Sequence, residues 1–148
     1  MKMNDKLVYL VQTDTTVGFL SQDYKKLNKI KNRLIDKKNL IEVDSLKTLK
    51  NFTRVPNRFK KQVRRAKKTT FIYPNGNSFR VVKDKRHLEF LRKFKWMYST
   101  SANLTGKSFD ERWARDVADI VVENKEGFFE GEPSNIFKIN NYQIKRIR

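Results

Sequence analysis

The chain of 148 residues has no cysteine, one histidine, three prolines and five glycines. Without cysteine there are no disulfides, thiolate metal sites or thiol nucleophiles. A single histidine, His87, excludes a cluster of histidine metal ligands, and its helical surroundings lead us to expect it on the surface. The N-terminal stretch MKMNDKLVYLVQTD is too poor in apolar residues for a signal peptide or a membrane span. No segment is low in complexity, and there is no internal repeat or linker rich in Pro, Gly or Ser. These absences imply one domain over 1–148, working in the cytoplasm without a membrane partner. A domain of this length hides ~70% of its unfolded surface. Eleven Phe, five Tyr and two Trp supply the core, and Trp96 and Trp113 are expected in it.

Acids are scarce too. Lys and Arg number 34 against 16 Asp and Glu, for a net charge of +18. The usual partners of such a field are phosphates, in nucleic acid or on an anionic surface. A lysine-rich composition without functional meaning is the alternative, and the abundance of Arg argues against it. The charge is also uneven. From Lys25 to Lys68 there are 17 basic residues and three acids, and from Asp110 to Glu132 eight acids and three basic residues.

Short apolar runs alternate with helical periods. Strands are expected at Leu7–Val11, Asn39–Val43, Thr69–Tyr73, Ser78–Val82, Trp96–Ser99, Ile120–Val122, Ile136–Ile139 and Gln143–Ile147. Asn75-Gly76 between two of these runs signals a hairpin. Tyr24, Leu27, Ile30 and Leu34 repeat at helical spacing behind a capping Asp23. Ser45 caps a short helix carrying Leu46 and Leu49. Pro56 suits the first turn of a helix with Phe59 and Val63 on one face. Leu88, Leu91 and Phe94 mark another helix, and Ser108-Phe-Asp-Glu111 reads as a capping box opening one through Val117. This alternation implies an α/β sheet, mixed by at least one hairpin.

Three segments carry chemistry. Thr13-Asp14-Thr15-Thr16 follows the first strand, at the carboxyl end where α/β ligands bind, although Thr and Asp are also good turn residues. Lys31 and Arg33 flank Asn32 at the end of the first helix and can grip different oxygens of one polyphosphate. Cations there also complement the helix dipole. Ser99-Thr-Ser-Ala-Asn-Leu-Thr-Gly106 combines hydroxyls, an amide and a glycine after an apolar strand, and offers donors to an anion or an adenine.

The loop STSANLTG resembles the signature of the YrdC-like family, the threonylcarbamoyl-AMP synthases. Further matches follow in order along the chain. Gln12-Thr-Asp-Thr-Thr-Val-Gly-Phe19 is similar to the family's Pro-Thr-Asp-Thr-Val-Tyr-Gly-Leu opening. Lys31-Asn-Arg-Leu34 resembles its Lys-x-Arg-Pro, and Thr69-Thr-Phe-Ile72 its Pro-Leu-Thr strand. Phe79-Arg-Val-Val82 resembles its Val-Arg-Val-Pro, and Pro133-Ser-Asn-Ile136 its Pro-Ser-Thr-Ile.

The resemblance implies a twisted mixed sheet with helices around a concave, positively charged cavity. It implies an enzyme that condenses ATP, L-threonine and bicarbonate into threonylcarbamoyl-AMP and pyrophosphate, with Mg2+ accompanying the nucleotide, for modification of transfer RNA. By carry-over, Lys31 and Arg33 are catalytic. Arg33, Thr70, Ser101 and Asn103 bind nucleotide, Thr13, Thr15 and Ser134 meet L-threonine, and Arg80 is a further cation. The chain departs from the pattern at Gln12 and Leu34, where the family has prolines, at Val17 in place of tyrosine, and at Arg65-Ala-Lys-Lys68 in place of Trp-Pro-Gly-Pro. A non-catalytic member that binds transfer RNA or other double-stranded RNA is therefore the second expectation. Its contact stripe would be Arg58, Lys61 and Arg65, beside the mouth of the cavity.

Overall fold

In the computed structural model, which describes residues 4–148, the apolar runs form strands joined by short helices. In chain order these are β1 (Tyr9–Gln12), β2 (Val17–Ser21), α1 (Tyr24–Ile30), β3 (Leu40–Val43) and α2 (Leu46–Leu49). A 3-10 turn (Asn57–Phe59) leads into α3 (Lys60–Arg65), β4 (Thr69–Ile72), β5 (Ser78–Val81), α4 (Lys85–Leu91) and β6 (Trp96–Ser101). The chain then forms α5 (Glu111–Val117), β7 (Ile120–Val121), β8 (Asn135–Ile139) and β9 (Ile144–Arg146). Among the described residues no helix is long and apolar enough to cross a membrane.

The nine strands of the described residues join one sheet in the order β7-β1-β2-β6-β3-β5-β4-β8-β9. It is mixed. β1 pairs antiparallel with β2, β2 and β3 antiparallel with β6, β4 antiparallel with β5, and β8 antiparallel with β9. β7 runs parallel to β1, β5 to β3, and β8 to β4. The Asn75-Gly76 signal closes the β4–β5 hairpin, with Gly76 at a φ of 85°, which a side chain would strain.

Side-chain oxygens open the helices. Asp23 accepts from Lys25 N at 3.1 Å and Lys26 N at 3.3 Å, and Ser45 accepts from Thr48 N at 3.2 Å. Four expectations need correction. The first helix stops at Ile30, because Asn32 turns left-handed with φ 54° and carries the chain out of the helix, leaving Leu34 78% exposed. The cap of α5 is Asp110 rather than Ser108, with its carboxylate accepting from Trp113 N at 3.2 Å. β2 was not expected, because the 13–16 turn lacks the Asn-Gly signature yet folds β2 straight back on β1. His87 is 1% exposed, because its imidazole is the partner of a buried glutamate.

Alternation along the strands separates core from cavity. Phe71, Phe79 and Val81 enter a core with Ile41, Val43, Leu49, Val55 and Val63, against which Trp96 packs. Thr70, Ile72, Ser78 and Arg80 leave the other face of the same strands and line an open cavity. Two further clusters complete the interior. One surrounds Tyr9, Leu20, Leu91 and Met97, and the other surrounds Leu10, Phe19, Leu27 and Ala114, with Trp113 against it.

Candidate functional site

The cavity has a volume of about 530 Å3 and draws its lining from every segment that sequence marked for chemistry. The 13–16 turn forms one wall. Thr13 Oγ1 donates to Thr16 O at 2.5 Å, and Thr15 N donates to Thr13 Oγ1 at 3.2 Å. The hydroxyls of Thr13 and Thr15 lie 3.3 Å apart. The segment before β8 crosses this turn closely. Gln12 clasps Phe129 from both sides, accepting from its N–H at 3.0 Å and donating to its carbonyl at 3.3 Å. Gly131 passes so near that a Cβ there would sit 1.6 Å from Thr15 O. This crossing delivers Ser134 to the cavity, where its hydroxyl meets that of Thr70 at 2.9 Å.

Arg33 also lines the cavity, from the 31–39 loop, and neutral amides hold it. Its Nε donates to Asn28 Oδ1 at 2.9 Å, and its Nη2 donates to Asn39 Oδ1. Asn39 Nδ2 donates in turn to Asn28 Oδ1 at 3.1 Å. Asn28 also ties the loop to α1, donating to Ile35 O at 2.8 Å and Lys37 O at 3.0 Å. Burial pushes the Arg33 pKa down, but a guanidinium stays charged at neutral pH.

Lys31 is 3% exposed and does not itself line the cavity. Its ammonium donates to Ser101 O at 2.7 Å, Ser101 Oγ at 3.3 Å and Asn103 Oδ1 at 3.2 Å. Burial, reinforced by Arg33 and Lys37, lowers its pKa to about 8. Lys31 thereby welds α1 to the 99–106 loop. Asn103 lies in a smaller adjoining hollow shared with Ser101, its amide donating to Leu104 O and Lys107 O.

Arg80 is anchored differently. Its Nη2 lies 3.3 Å from Asp14 Oδ1 and 3.5 Å from Glu42 Oε1, and Glu42 Oε1 is 2.6 Å from His87 Nε2. Burial opposes the charge on Glu42, but His87 and Arg80 outweigh it and hold the pKa down to about 2. For Asp14 burial prevails, and its pKa is raised despite Arg80.

Of the residues singled out from sequence, Thr13, Thr15, Arg33, Thr70, Arg80, Ser101 and Ser134 meet at one cavity. Lys31 and Asn103 stand behind it, bracing the loop that carries Ser101. Arg58, Lys61 and Arg65 are exposed, but not beside the mouth. Val63 of α3 packs into the core on the face of β3–β5 opposite to Thr70 and Arg80, so the stripe lies behind the sheet. Sequence reasoning missed Lys37, Lys38 and Arg148, which also line the cavity, and the amides of Asn28 and Asn39. It also missed Glu42, although a lone acid inside the apolar strand LIEV was a readable sign of a buried partner.

No family model matches the sequence, and no curated protein matches it. Solved structures do. Sua5 from P. abyssi, complexed with L-threonine, superposes with a TM-score of 0.80 at 15% identity, over 96% of this chain and 50% of that one. E. coli YciO gives 0.75 at 15% identity, over 97% of this chain and 82% of that one. HypF in its phosphate- and nucleotide-bound form gives 0.74 at 12% identity, over 96% of this chain and 26% of that one. The chain has the fold shared by Sua5 and YciO. It spans about half of the Sua5 chain and about a quarter of HypF.

Proposed function

We propose that the described residues act as one YrdC-like domain in the cytoplasm, binding ATP and L-threonine and joining them with bicarbonate into threonylcarbamoyl-AMP for transfer RNA modification. The observation that carries this reading is the cavity lining. Among the described residues it contains five cationic side chains, Arg33, Lys37, Lys38, Arg80 and Arg148, and no Asp or Glu. Among the described residues only Arg80 of the five has an acid within ion-pair distance.

The amine of threonine forms a bond to the bicarbonate carbon, with loss of water, to give a carbamate. A carbamate oxygen then attacks the α-phosphorus while the bond to the β-phosphate oxygen breaks, and pyrophosphate departs. Negative charge grows on the α-phosphoryl oxygens and on the leaving group. Fixed cations are the means of stabilising it. Arg33 is the best placed, since the amides that orient it leave its charge uncompensated. The hydroxyls of Thr15 and Ser134 face the amino acid, with Thr13, its proton given to Thr16 O, shaping the turn beside them, and Thr70 and Ser101 face the nucleotide. Lys31 and Asn103 fix the loop that presents Ser101. Magnesium would accompany ATP as part of the substrate and offset charge on its phosphates.

Pyrophosphate release is the test. It should require ATP, L-threonine and bicarbonate together, and release independent of threonine would overturn the reading. A second reading, a non-catalytic RNA binder, is favoured by one observation. No acid occurs between Asp44 and Asp84, while α3 and its flanks expose Arg58, Lys61, Arg64 and Arg65. A variant with Glu at Arg58, Lys61 and Arg65 should lose affinity for double-stranded RNA and keep ATP binding, and the loss should mirror the steep salt dependence of the parent.

A further inference from the structure

A second pocket, of about 320 Å3, lies beyond the 36–39 loop and shares Lys37, Lys38 and Asn39 with the cation-lined cavity. This volume falls at the lower end of the ligand-pocket range of about 300–1,000 Å3. Its lining is of another kind. Tyr24, Phe52 and Tyr98 contribute aromatic rings. Tyr24 and Tyr98 meet edge to face with centroids 5.6 Å apart, and Trp96 holds both Phe52 and Tyr98 from behind at 5.2 and 5.3 Å. All three lining rings remain partly exposed. Asp36 and Asn77 add a carboxylate and an amide, and among the described residues neither side chain is engaged in a hydrogen bond or ion pair. Lys37 and Lys38 stand in the shared wall, and the exposed Lys25 and Lys26 follow Tyr24 directly in the chain.

We infer that this aromatic pocket takes the base of an unpaired nucleotide in an RNA strand. The rings supply faces on which a flat base stacks. Asp36 accepts from an exocyclic amine or ring N–H, and Asn77 offers both a donor and an acceptor to the base edge. Lys37 and Lys38 stand where the attached phosphate needs a counter-charge. Lys25 and Lys26, exposed on the turn of α1 that carries Tyr24, add to Lys37 and Lys38 and favour a strand over a free nucleotide, because one mononucleotide has too few phosphates to engage all four. A base enters such a pocket only when it is out of the helical stack, so the ligand is single-stranded. This site is separate from the α3 stripe, whose one interspersed ring, Phe59, packs against the core.

The test uses a short fluorescein-labelled single-stranded RNA of mixed sequence, followed by anisotropy at low salt without ATP or threonine. Omitting those substrates leaves the result readable even if the catalytic reading fails. Tyr24→Ala should weaken binding tenfold to a hundredfold, matching the ~1–3 kcal/mol of one stacked base. Asn77→Ala, a variant in an exposed turn that keeps the core, should weaken it severalfold. Neither should change affinity for the same sequence as a duplex. Unaltered single-strand affinity in both variants, with thermal melting like that of the parent, overturns the inference. Equal losses for strand and duplex also overturn it, since a pocket for an unstacked base cannot act on paired ones. In a parallel titration with AMP and GMP, binding as tight as that of the strand and equally dependent on Tyr24 would overturn the strand and assign the pocket to a free nucleotide.

Discussion

Arg33 and Arg80 line the same cavity but are held by opposite means. Arg33 rests on the amides of Asn28 and Asn39. Arg80 rests on the carboxylates of Asp14 and Glu42, with His87 behind them. An amide accepts a hydrogen bond without cancelling charge, so the full charge of Arg33 faces the cavity. A carboxylate binds the guanidinium more strongly and neutralises it. In the proposed reading the first region serves a ligand and the second serves the fold. The acidic end of the chain follows the second pattern, with Arg115 between Glu111 and Glu123, and Arg86 on Glu126.

The largest effect should come from breaking the carboxylate-held side. Glu42→Ala leaves Arg80 and His87 buried without their shared partner and should destabilise the protein by about 3–5 kcal/mol. Denaturant unfolding measures this, and a loss below about 1 kcal/mol would mean that the cluster is not an ionic unit. Next comes the amide-held side. Arg33→Ala should lower threonine-dependent pyrophosphate release roughly tenfold to a hundredfold, for about 1.5–3 kcal/mol of charge-assisted contact. Its melting temperature should stay near that of the parent. Unchanged turnover would take Arg33 out of the site.

Asn39→Asp converts one arrangement into the other. It places a carboxylate against Arg33 and should weaken nucleotide binding about tenfold, near 1.4 kcal/mol, without a matching loss of stability. Calorimetric titration with ATP decides it, and equal or tighter binding would show that the neutral clamp is immaterial.

The smallest effects are in the pH dependence of stability. Glu42 falls from 4.5 unfolded to about 2 folded, so its contribution is complete above pH 4.5 and is lost as pH drops toward 2. Asp14, raised in the fold, acts in the opposite sense and offsets part of this. Glu42→Gln should flatten the acid limb. Lys31 falls from 10.5 to about 8, so the unfolded chain binds more protons between those values and stability rises with pH across that window. In Lys31→Met the rise should be missing, and an identical slope in parent and variant would refute the assignment.

Most of the fold was legible because its signals are local. Asp23 and Ser45 cap the helices expected of them, Asn75-Gly76 turns the expected hairpin, and every strand read from an apolar run is present within a residue or two. β2 was hidden because VGFLS follows a turn whose geometry comes from the Thr13 hydroxyl and not from glycine. The site was legible as residue types and not as roles. Thr70 and Ser134, 64 positions apart, meet through their hydroxyls, a contact that no local pattern announces. Lys31 looked like the twin of Arg33, yet one turn of backbone at Asn32 sends it to Ser101 and Asn103 instead.

By itself the sequence determined the secondary structure, the shortage of acids and the set of hydroxyls and cations available for phosphate, since these depend on composition and on neighbours a few residues away. Only the tertiary structure decided which cations are left without a compensating carboxylate. Whether a guanidinium meets an amide or a carboxylate depends on contacts such as Arg80 with Asp14, 66 positions apart in the chain. It also decided that α3 lies behind the sheet, because strand alternation puts Val63's core and the cavity on opposite faces.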